Sequence, residues 1–95
     1  MRFEWDPEKE RINRQKHSVG FREAQELFET DTDYLEIFDE SHSDDEERFI
    51  AIGPVRRGII VVVWTERTEE TVRIISARLA TKREIQLYRE CMEER

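Results

Sequence analysis

Hydrophobic positions along the chain follow two periods, and the longest apolar run is Ile59-Ile60-Val61-Val62-Val63-Trp64. A β-branched run of this length ending on an aromatic predicts a strand covered on both faces. The polar break Arg67-Thr68-Glu69-Glu70-Thr71 separates it from a second strand-like run, Val72 to Arg78. The two runs read as an antiparallel hairpin, although no Asn-Gly or Asp-Gly pair fixes its register. Upstream, Phe49-Ile50-Ala51-Ile52 predicts another strand that turns into this run through Gly53 to Gly58. Tyr34 to Asp39 predicts a further strand, and Met1 to Trp5 a short edge strand.

Elsewhere the spacing is helical. Asp6 suits an N-cap and Pro7 the first helical position, where its missing N–H costs nothing. The helix that follows has Ile12 as its only aliphatic residue between Glu8 and Lys16, so its buried stripe is narrow and its ends hold it. Gly20 closes a break, and Phe21, Ala24, Leu27 and Phe28 recur as one helical face that ends in Thr30 to Asp33. Ser41 to Glu47 reads as a mobile acidic loop. Near the C-terminus, Thr81-Lys82-Arg83-Glu84 matches a capping box, and Ile85, Tyr88 and Met92 give the next helix an apolar stripe. The order predicts one α+β domain over residues 1–95: an antiparallel sheet of about four to five strands, two N-terminal helices and a C-terminal helix.

Composition narrows the function classes. Of the 95 residues, 41% are charged and 37% hydrophobic, a balance that gives a folded domain only because the charges lie outside the apolar zones. The formal net charge of -7 excludes nucleic-acid binding through overall charge but leaves room for a local basic patch. Acidic residues gather in Glu26 to Glu47 and at the C-terminus, whereas most arginines lie between Arg48 and Arg89. A single cysteine, Cys91, makes no intramolecular disulfide, and no Cys/His cluster has metal-site spacing. No leader pattern opens the chain and no apolar run approaches the roughly 20 residues that span a bilayer. The expectation is a soluble cytoplasmic protein with no cofactor and no metal.

With antiparallel pairing about the two turns, Arg48 falls opposite about Thr65, and Thr65 opposite about Arg73. Arg48, Thr65, Arg67 and Arg73 then share one face at one end of the sheet. Guanidiniums so close need an anion or carboxylates among them; phosphate is one answer. Ladder pairing with Glu36, Glu66, Glu69 and Glu70 is the other. Ser76 and Arg78 lie farther along, where Arg78 is either a snorkelling surface residue or a phosphate ligand. Lys16 and His17 end a helix, as dipole-stabilising cations or as a phosphate cation with a group that titrates near neutrality. Glu84 is a cap or a general base, and Tyr88 core or a base-stacking ring. Trp64 reads as core.

These residues together resemble the BrnT toxins of bacterial type II toxin–antitoxin systems. The resemblance rests on Phe3-Glu4-Trp5-Asp6, Lys9, Asn13, Lys16-His17, Val19, Phe21 and Glu23-Ala24. It continues through Arg48 to Gly53, Val63 to Arg67, Arg73 to Arg78, Ala80, Glu84 and Tyr88, and leaves Asp31 to Glu47 without a motif. It implies a RelE-like fold and a ribonuclease that inhibits translation. It also implies a BrnA antitoxin partner, whose ribbon-helix-helix dimer binds operator DNA while covering the toxin.

The chemistry the residues allow is metal-independent: a ribose 2′-OH attacks the adjacent phosphate while a base takes its proton and cations hold the phosphate oxygens. Arg48, Arg67, Arg73 and Arg78 are the cations, Thr65, Ser76 and Tyr88 the substrate contacts, and Lys16 and His17 join if the first helix points its C-terminal end at the basic row. His17 is the first candidate base and Glu84 the second. The rival reading is a partner-binding module without activity. An intrinsic DNA-binding domain finds no helix-turn-helix or basic helix.

Overall fold

The apolar run occupies the central strand of a five-stranded sheet. The structure, a computed structural model, describes residues 1–30, 33–42 and 46–94. In chain order its elements are β1 (Arg2–Glu4), α1 (Pro7–His17), α2 (Phe21–Glu29), β2 (Leu35–Phe38), β3 (Arg48–Val55), β4 (Gly58–Thr68), β5 (Thr71–Leu79) and α3 (Lys82–Glu93), with a short 3-10 turn at Glu40–His42. The sheet order is β1-β5-β4-β3-β2. Neighbours from β2 to β5 pair antiparallel as expected, whereas β1 pairs parallel with β5. The edge of β5 is free to receive a strand from the far end of the chain, a long-range pairing that no local pattern encodes.

Alternation divides the sheet into two faces, one packed by α2 and the other covered in part by α3. One carries Ala51, Ile60, Val62, Trp64, Val72, Ile74 and Ala77, which cluster with Val19 and with Phe21, Ala24 and Leu27 of α2. Phe28 anchors this layer, with its ring centroid 5.4 Å from Trp64, 5.4 Å from Tyr34 and 5.7 Å from Phe3. On the other face Ile52 and Val61 are also buried, and α3 packs there against β2 and β3. Helix and sheet approach closely at Gly53, where a Cβ would stand 2.7 Å from Leu27 Cδ1.

Helix termini form where the caps predict. Asp6 accepts from the Glu8 N–H at 2.9 Å, and the Thr81–Glu84 capping box is complete in both directions. The β3–β4 turn is tighter than expected, with only Arg56-Arg57 between the strands and Gly58 at φ 138°, a backbone conformation that favours glycine. The first helix differs from its expected burial: Ile12 is exposed and Asn13 is the buried residue. The reason lies at the sheet edge. Beyond β1, no strand among the described residues pairs with the outer side of the Ala77 backbone, and the Asn13 amide supplies the partner. It accepts from Ala77 N–H at 3.1 Å, donates to Ala77 C=O at 2.7 Å and also donates to Val19 C=O at 2.9 Å. The expected acidic loop at Ser41 to Glu47 lies partly outside the described residues, as does the segment Thr30 to Asp33 expected to end the second helix, which stops at Glu29.

Candidate active site

One rung crosses four strands. Arg48 of β3 pairs with Thr65 of β4, Thr65 with Arg73 of β5, and Arg73 with Glu4 of β1. Cross-strand partners share a face, so these four side chains form a row on the α3 side of the sheet. With strands about 4.8 Å apart, the Arg48 and Arg73 backbones stand about 10 Å from each other, within the convergence of two guanidiniums on one phosphodiester. Thr65 is buried and its hydroxyl donates to the Glu47 carbonyl at 2.6 Å. That bond fixes the chain entering Arg48, so Thr65 positions the row rather than presenting a free donor.

The cations of the row carry carboxylates. Arg73 Nη1 donates to Glu4 Oε2 at 2.6 Å, and Arg48 Nε stands 3.6 Å from Glu46 Oε1. Arg67 is exposed at an irregularity between Glu66 and Thr68. A second irregularity, between Val63 and Trp64, leaves Ile75 as an extra residue on β5. Its effect is on aim. Arg73 and Arg78 are an odd number of residues apart and would face opposite ways in a regular strand, but the bulge returns both to one face. Ser76 lies on that face opposite Val63, about 7 Å along β4 from the Arg73 rung.

Arg78 and Glu84 form a separate unit. Arg78 pairs with Val61, about 13 Å along β4 from Thr65, and its two Nη atoms donate to the two Glu84 oxygens at 2.7 and 2.8 Å. Glu84 also accepts from the Thr81 N–H at 2.8 Å. The Arg78 hydrogen bonds, with the Thr81 backbone bond adding to them, pull the Glu84 carboxyl down to about 2 against the cost of burial. A carboxylate so stabilised is a poor proton acceptor at neutral pH, and the structure assigns it to joining α3 to β5.

Lys16 and His17 do not meet the row. The C-terminal end of α1 points to the β3–β4 turn, where Arg57 Nη2 donates to Ser18 C=O at 2.7 Å and Arg57 Nε to Glu23 at 2.7 Å. The row lies at the other end of the strands and on the opposite face. The Asn13 attachment to Ala77 fixes this direction, so the condition under which Lys16 and His17 would join the site is not met. Tyr88 Oη donates to Asp33 C=O at 3.3 Å, tying α3 to the segment before β2. Glu4, adjacent to Arg73, was not singled out by pattern: its place depends on the parallel pairing of β1.

The whole is a small α+β domain in which Arg48 and Arg73 share one row on the α3 side of the sheet, each beside a carboxylate. The chain belongs to the BrnT family: residues 5–84 match the model of the ribonuclease toxin, BrnT, of type II toxin–antitoxin systems. Among solved structures it is similar to the 1.1 Å crystal structure of the Brucella abortus ribonuclease toxin BrnT, with 27% identity and a TM-score of 0.65 over 86% of this chain and 99% of that one. None of the curated proteins compared with it matches. Among the described residues, no helix is long and apolar enough to cross a membrane.

Proposed function

We propose that this ribonuclease toxin cleaves RNA by metal-independent attack of a ribose 2′-OH on the adjacent phosphate, and that the cleavage inhibits translation. The observation that carries the reading is the Arg48–Thr65–Arg73 rung, which sets two guanidiniums on one open face. They bind the phosphodiester and stabilise charge on its oxygens as O2′ approaches phosphorus. Arg67 extends the cationic end for the next phosphate, and Ser76 lies on the path of the chain. Arg78 acts on the site through the fold. A protein antitoxin is the partner of a type II toxin; we assign it the BrnA type, a ribbon-helix-helix protein that covers this face and alone contacts operator DNA. The working compartment is the cytoplasm.

A second reading, an inactive module that only docks the antitoxin, draws support from the carboxylates on Arg48 and Arg73, which neutralise the cations without any substrate. Cleavage of single-stranded RNA by the purified chain, with and without EDTA, separates the two. Cleavage that persists in EDTA and leaves 2′,3′-cyclic phosphate ends is expected. Activity lost on chelation and restored by a divalent ion overturns the metal-free mechanism, and no cleavage of free or ribosome-bound RNA favours the docking module.

A further inference from the structure

We infer that Glu4 is the general base that takes the proton from the attacking ribose 2′-OH, with Arg73 holding it in place; the inference rests on the ribonuclease reading of the Arg48–Thr65–Arg73 rung.

Geometry selects this residue. A base for 2′-OH attack has to lie within a hydrogen bond of a hydroxyl whose neighbouring phosphate is already held by the site's cations. The base therefore stands beside a phosphate-binding guanidinium. Glu4 does so: it is the register partner of Arg73, and its Oε2 accepts from Arg73 Nη1 at 2.6 Å. The bond engages one oxygen and one nitrogen. The second carboxylate oxygen is left for a hydroxyl, and further N–H groups of Arg73 are left for phosphate oxygens. Exposure agrees, with the Glu4 side chain 41% accessible and Arg73 29%, so substrate reaches both without rearrangement.

The other candidates do not meet these conditions. His17 and Lys16 lie at the opposite end of the sheet, beside Arg57 and Ser18. Glu84 has both oxygens on Arg78, which itself lies about 13 Å along the sheet from the Thr65 rung. Glu46 approaches Arg48 only to 3.6 Å, and it sits outside any strand. Glu4 is instead carried by a strand whose entry is pinned by Arg2 N–H donating to Glu70 C=O at 2.6 Å. A base on a hydrogen-bonded strand keeps its aim better than one on a loop.

The reaction step balances without a co-reactant other than water. The Glu4 carboxylate takes the 2′-hydroxyl proton as the O2′–P bond forms and the P–O5′ bond breaks. The departing 5′ oxygen takes a proton from water, and Glu4 returns its proton to the hydroxide left behind. The products are a 2′,3′-cyclic phosphate and a 5′-hydroxyl.

The test compares the full-length wild type with Glu4→Gln, Glu4→Asp, Arg48→Ala and Arg73→Ala on a fluorescent single-stranded RNA, with binding read on its 2′-O-methyl analogue. Glu4→Gln keeps a hydrogen bond to Arg73 but cannot take a proton, so kcat is expected to fall by about 10²–10⁴ while affinity for the analogue stays within about threefold. Glu4→Asp is expected to recover part of the loss. A Gln variant with kcat within about threefold of wild type overturns the assignment. So does equal loss of RNA affinity and melting temperature, which would make the Glu4–Arg73 bond structural. If Arg48→Ala and Arg73→Ala also cleave normally, or the wild type does not cleave, the reading of the site itself fails; if they abolish cleavage and Glu4→Gln does not, only the base is misassigned.

Discussion

Replacing Glu84 by glutamine tests how α3 is held to the sheet. The change keeps an oxygen for the Thr81 N–H but removes the charge that pairs with both Nη atoms of Arg78. A carboxyl drawn from 4.5 to about 2 corresponds, at about 1.4 kcal/mol per unit, to about 3 kcal/mol of preference for the charged form in the fold. The Arg78 side chain is 39% exposed, so solvent screening reduces this to about 1.5 kcal/mol. At about 4–8 °C per kcal/mol for a domain of this size, Glu84→Gln should melt about 6–12 °C below wild type at pH 7.

The same change has a pH signature. Because the folded carboxyl titrates below its unfolded value, the stabilisation is complete above about pH 4.5 and is lost as pH falls toward 2. The gap between wild type and variant, followed by circular dichroism melts from pH 7 to pH 2.5, should therefore narrow progressively below pH 4.5. A gap that stays constant over that range, or a difference under about 2 °C at pH 7, refutes the reasoning.

Two further changes probe the fold. Asn13→Ala strips Ala77 of both outer-edge partners and Val19 of its donor; urea unfolding should show a loss of about 2–4 kcal/mol, whereas a loss under about 1 would mean that solvent replaces the amide. Gly53→Ala places a Cβ 2.7 Å from Leu27 Cδ1 and Tyr34 Cβ and should cost about 1–3 kcal/mol in the same assay; an unchanged midpoint would show that α2 yields without penalty.

Much of the fold is legible in local pattern because its signals are local. The β-branched run, the Asp6-Pro7 start and the Thr81–Glu84 box each need only a few neighbouring residues, and the Glu69-Glu70 turn is short enough to bring Thr65 opposite Arg73. Three features lie beyond such reasoning. Asn13 reads as a surface polar residue until a bare strand edge appears beside it. The bulge at Ile75, which returns Arg78 to the face of Arg73, has no glycine to announce it. The parallel docking of β1 joins residues 69 positions apart, so Glu4 looks like one acidic residue among many. The direction of α1 depends on the Asn13 contact, which is why Lys16 and His17 pattern as site residues and fold elsewhere.

The central claim is that catalysis belongs to the rung on the α3 face and not to the end of α1. Steady-state RNA cleavage by two double variants, Arg48→Ala/Arg73→Ala and Lys16→Ala/His17→Ala, tests it most directly. The first should lose at least about a hundredfold in kcat/KM, and the second should stay within about threefold of wild type. The reverse result, with folded proteins in both cases, would contradict the account.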